Sequence, residues 1–70
     1  MKPLILWARN RYPQPYGLRL LQREGERIVG MVRIDQEWLP FVYDGQRREI
    51  TLGAGPAPRL IRLNEWGQEV

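Results

Sequence analysis

The sequence predicts an all-β fold: a small antiparallel β-barrel of the SH3-like or OB-like kind, or else a strongly twisted meander, built from five to six short strands. Three observations predict it. Turn signals rich in Gly, Pro and Asp recur about every ten residues. The segments between them alternate apolar and polar residues. In a chain of 70 residues, 43% of them hydrophobic, a sheet hides one face most readily by curling on itself, which also shortens its exposed edges.

The elements follow in order. Lys2 to Ala8 contains the run Leu4-Ile5-Leu6-Trp7, short for a helix and read as a buried strand. Arg9 to Tyr16 carries Pro13 and Pro15, each of which pushes its predecessor towards extended geometry, so a polyproline-like loop is expected. Gly17 to Gln22 and Arg27 to Ile34 alternate as two strands, with Gly25 placed to supply a positive φ in the hairpin between them. Asp44-Gly45 suits a two-residue type I′ turn. Pairing outward from it sets Tyr43 against Gln46, Phe41 against Arg48 and Leu39 against Ile50. Leu39, Phe41, Tyr43, Ile50 and Leu52 then share one apolar side, and Trp38, Pro40, Val42, Arg47, Glu49 and Thr51 the other. Pro40 should interrupt a ladder or lie at a free edge.

Gly53 to Pro58 reads as a rigid turn region. Arg59 to Leu63 reads as a strand with Ile61 and Leu63 inward, the alternative over residues 59–66 being one short C-terminal helical turn that stacks Leu60 and Leu63. Residues 1–63 make a single small β domain. Residues 64–70 make a tail, with Trp66 available to pin it.

Composition excludes more than it assigns. The chain has no Cys and no His, no Ser, and Thr51 as its one threonine. The usual nucleophiles, near-neutral bases and transition-metal ligands are therefore missing together. Asp35 and Glu37 face the same way in an extended segment, but two carboxylates at a turn are too few for a specific hard-cation site. Gly53-Ala54-Gly55 lacks the Lys and hydroxyl of a phosphate-cradling loop. The expectation is a non-catalytic protein with no cofactor and no metal. The absence of Cys suits a reducing, cytoplasmic home, and no apolar run exceeds Leu4 to Ala8, so no membrane partner is expected.

The net charge of +3 is unevenly spread. Residues 1–23 carry Lys2, Arg9, Arg11, Arg19 and Arg23 and no acid, which predicts a basic side. Two function classes follow. In the first, the chain binds nucleic acid, DNA or RNA: Arg9, Arg11, Arg19 and Arg47 contact phosphates while Tyr12 and Tyr16 stack on bases, with Trp7 expected to help close the core. In the second, it is a protein-interaction module for an acidic protein surface, such as a small inhibitor, adaptor or accessory subunit of a phage or mobile element. There Val29, Met31, Trp38 and Val42 form an apolar patch inside a charged rim, and a self-associating homo-oligomer belongs to the same class. Arg48, expected opposite Phe41, is read as structural, with its stem over the ring.

Overall fold

The computed structural model describes residues 2–11, 17–34, 36–53 and 55–70. Among these residues there is one helix, α1 (Lys2–Arg11), followed by five strands: β1 (Gly17–Glu24), β2 (Arg27–Ile34), β3 (Glu37–Asp44), β4 (Glu49–Leu52) and β5 (Arg59–Arg62). The strands form one antiparallel sheet in the order β1-β2-β3-β4-β5. The all-β expectation holds in this form, a meander of five strands. Among the described residues no pairing closes β5 onto β1.

The amino-terminal segment corrects the sequence reading, because Lys2 to Ala8 is helical and not a strand. A short apolar run does not by itself distinguish a strand from a buried helix. The deciding pattern is the spacing of Leu4, Trp7 and Ala8, three and four residues apart, which stacks them on one helical face. All three are buried there. Pro3 sits in the first turn, where its missing N–H costs nothing. The helix lid replaces barrel closure as the means of covering the sheet. Leu4, Trp7 and Ala8 form one core with Ile28, Val32, Phe41, Tyr43, Ile50, Leu52, Ile61 and Leu63.

Every core strand residue lies on one face of the sheet. On β2 and β3, Ile28 pairs with Tyr43, Gly30 with Phe41 and Val32 with Leu39. The β1–β2 turn carries Gly25 at φ 61° as expected, between the paired Glu24 and Arg27. Gly30 is needed for packing: a Cβ there would stand 2.9 Å from two ring carbons of Phe41 and run into the Arg19 carbonyl.

The β3–β4 connection differs from the expected type I′ turn. Tyr43 pairs with Ile50 and Phe41 with Leu52, so four residues separate the strands. The Asp44 carboxylate accepts the amides of Gln46 (3.0 Å) and Arg47 (3.3 Å), an Asx turn that lengthens the loop. The positive φ falls on Arg48, at 53°, and not on Gly45. Gly45 instead lies against β2's entry, its N–H donating to the Glu26 carbonyl at 2.8 Å. The register moves by an even number of residues, so the two faces are preserved. Arg48 leaves the ladder, exposed, and its expected place opposite Phe41 belongs to Leu52.

Residues 59–62 are a strand, with Ile61 opposite Ile50, and the helical alternative is not adopted. Beyond it the chain turns back. Leu63 bridges Glu69, and the Val70 amide donates to the Arg62 carbonyl at 2.9 Å. The Asn64 side chain accepts from the amides of Trp66 and Gln68. This turn presses Gly67 (φ 78°) against α1, where a Cβ would sit 2.6 Å from the Pro3 carbonyl oxygen. The Trp7 indole N–H donates to Glu69 Oε2 at 3.0 Å. Trp66, the expected pin, is 60% exposed; Gly67 and Glu69 make the contact instead.

Candidate interaction face

With α1 covering one face of the sheet, the opposite face is left to solvent, and the strand registers build it in rows. The first row is charged: Glu24, Arg27, Asp44, Glu49 and Arg62 follow one another across all five strands. Within it Arg62 Nε donates to Glu49 Oε2 at 3.2 Å. The second row runs Gln22, Val29, Val42, Thr51, Leu60 and is mostly apolar. The third sets Arg19 beside Met31 and Pro40, and the fourth sets Gly17 beside Arg33 and Trp38.

The fourth row has a built geometry. Trp38 lies across the strands over Gly17, where a Cβ would stand 3.0 Å from Trp38 Cη2 and 2.8 Å from Arg33 Cβ. The absence of a side chain at Gly17 is what lets the ring approach. The Arg19 guanidinium carbon sits 4.9 Å from the ring centroid and that of Arg33 6.0 Å, both within cation–π range. The indole, still 38% exposed, is thus contacted by two cations. A shallow depression of about 470 Å³ opens at the other end of the same face, over Arg27, Val42, Asp44, Arg47, Glu49 and Thr51. The face therefore runs from a cationic, aromatic end through an apolar middle to a mixed charged end.

The residues expected to bind protein meet on this face. Val29 opposes Val42, Met31 opposes Pro40, and Trp38 stands one row further on the same side. Val29, Met31 and Val42 are half-buried by their neighbours. The residues expected to bind nucleic acid do not gather among the described ones. Arg9 is exposed on α1, the helix that covers the core face; Arg19 is on the open face; Arg47 is exposed in the β3–β4 loop. Tyr12 and Tyr16, the Arg11 side chain and Asp35 lie outside the described residues. Trp7 is buried.

Sequence reasoning missed Arg33 as the second cation on Trp38 and Leu60 as part of an apolar row; Pro40 was placed on this face but not counted in the patch. The alternation along each strand was visible, but the neighbour across the strand depends on register. For Arg19 that register includes an irregularity in β1 between Leu20 and Gln22, for which the sequence carries no signal. Pro40, expected to break a ladder, sits inside β3, and its carbonyl accepts the Gly53 amide at 2.8 Å. Among the described residues no group of three or more acidic side chains could hold a metal ion, and no helix is long and apolar enough to cross a membrane. Comparison with family models, with curated proteins and with solved structures finds no match to this chain.

Proposed function

We propose that this protein is a non-catalytic interaction module that docks a protein partner on the open face of its sheet. The observation that carries the reading is Trp38, part-exposed and oriented by Arg19 and Arg33 beside the Val29, Met31, Pro40 and Val42 rows. Trp and Arg are the residues over-represented where binding energy concentrates, above all when set in an apolar centre with a polar rim. Orienting the ring before contact reduces the entropy lost on binding. The partner's chemistry follows from the charges: a carboxylate facing Arg19 and Arg33, with aliphatic side chains over the central rows.

Selection from a displayed random peptide library tests this. Binders are expected to combine acidic with aliphatic or aromatic residues, and to lose at least tenfold in affinity against Trp38→Ala or Met31→Glu. Binders indifferent to both substitutions would contradict the reading.

The nucleic-acid reading rests on Arg9, Arg11, Tyr12, Tyr16, Arg19 and Arg47. It has less support, because Arg9 and Arg19 are attached to opposite sides of the sheet. A titration with single- and double-stranded DNA and RNA at low salt decides it. Tight, steeply salt-dependent binding would restore it.

A further inference from the structure

The two edges of the sheet are finished differently. On β5, a strand of four residues, the returning segment meets the last residue, through the Leu63–Glu69 bridge and the Val70 amide on the Arg62 carbonyl. On β1, an edge strand of eight residues, no described residue beyond β2 occupies the outer side. Leu20 and Leu21 stand there side by side, 46% and 62% exposed. An edge strand is a ready template for another strand, and proteins usually guard it with charge, Pro, bulges or brevity. β1 carries Arg19, Arg23, Glu24 and an irregularity, yet its middle is a pair of exposed leucines.

We propose that β1 pairs antiparallel with β1 of a second copy of this chain, continuing the sheet across a two-fold axis that passes between Leu20 and Leu21. The irregularity in β1 selects this register. In a regular strand, side chains alternate faces, so a two-fold pair sharing faces opposes residues an even number of positions apart. Between Leu20 and Gln22 the alternation slips: Arg19 and Gln22 both face the open side, opposite Met31 and Val29, while Leu18 and Arg23 both face the core side, opposite Val32 and Ile28. Matching faces across the axis therefore sets Arg19 opposite the second copy's Gln22 and Leu18 opposite its Arg23. At the centre, Leu20 falls opposite Leu21 in both directions, so four exposed leucines cover one another. The register that would oppose Arg19 with Arg23 mismatches the faces.

Charge points to the same occupant. Arg19 near the start of the strand and Glu24 at its end share the open face, and antiparallel pairing brings each diagonal to the other across the axis, within reach of long side chains. The interface is isologous and small, and belongs with weak, reversible associations.

Sedimentation equilibrium over a range from about 1 µM to about 1 mM tests the pairing, because small interfaces of this kind dissociate within or above the micromolar range. The wild-type mass is expected to rise from monomer towards dimer. Leu21→Lys, at an exposed position, is expected to remain monomeric with unchanged circular dichroism and melting midpoint, whereas Trp38→Ala is expected to dimerise like wild type. Amide exchange should slow with concentration in β1 and not in β5. A wild-type monomer throughout, a dimer that survives Leu21→Lys, or protection appearing outside β1 would overturn the proposal.

Discussion

Trp7 joins three parts of the fold: the helix, the core and the carboxy-terminal turn. It is among the largest fully buried residues and ties α1 to the returning carboxy-terminal turn through Glu69. A domain of this size is stable by only a few to about 10 kcal/mol, and truncating a buried Trp costs about 3–5 kcal/mol. Trp7→Ala is therefore expected to leave the chain largely unfolded, as read by circular dichroism. Glu69→Ala, which removes the acceptor of the Trp7–Glu69 bond, is expected to cost about 1 kcal/mol in urea titration. Gly67→Ala is expected to be worse, about 2 kcal/mol or more, because it combines a positive φ with a Cβ forced onto the Pro3 carbonyl and the Trp7 amide.

Tyr43 gives the fold a pH dependence. Burial pushes its phenol above the ordinary value of 10.0; Arg48 pulls it down in part, while Glu26 and Asp44 push it further up. Its folded form holds the proton at pH values where the unfolded chain has released it. The folded state thus binds more protons above pH 10.0, and stability falls as pH rises through that range. Tyr43→Phe should flatten the alkaline limb of a stability-against-pH curve. An unchanged slope would show that the phenol does not contribute.

At the scale of elements, the parts of the sequence with period two were legible and the parts set by a single side chain were not. Phe41, Tyr43, Ile50, Leu52, Ile61 and Leu63 are each assigned to the core face by the sequence and are buried. The β3–β4 loop was misread because Asp44-Gly45 satisfies two turn types. Choosing between them depends on whether the Asp44 carboxylate captures the amides of Gln46 and Arg47. Asp44→Ala removes both bonds and is expected to lower stability by about 1 kcal/mol. The helix was misread because four consecutive apolar residues hide the Leu4, Trp7, Ala8 spacing that defines its buried face. The turn after β2 offers a gain: Gln36 is held at φ 67°, a region that costs a non-glycine residue about 1 kcal/mol. Gln36→Gly should raise the urea midpoint by the equivalent of about 0.5 kcal/mol, after the added freedom of the unfolded chain is discounted.

For the whole molecule, the consequence of α1 is a sheet with two unlike faces. One is sealed by the helix and the carboxy-terminal turn, and the other presents ordered rows that no described element covers. The sequence reading anticipated the residues of the open face, although it expected a curled sheet, because period-two alternation assigns sides whatever closes the core. It could not anticipate that Arg9 and Arg19 would part company, since that depends on the first segment being a helix. If the open face, and not the helix side, receives a partner, a side-chain NMR titration with a library-selected acidic peptide will show it. Shifts are expected at the methyl groups of Val29, Met31 and Val42 and at the Trp38 indole, with Ile28, Val32 and Ile50 silent. Shifts centred on α1 and the Gly67 turn, with the open face silent, would contradict it.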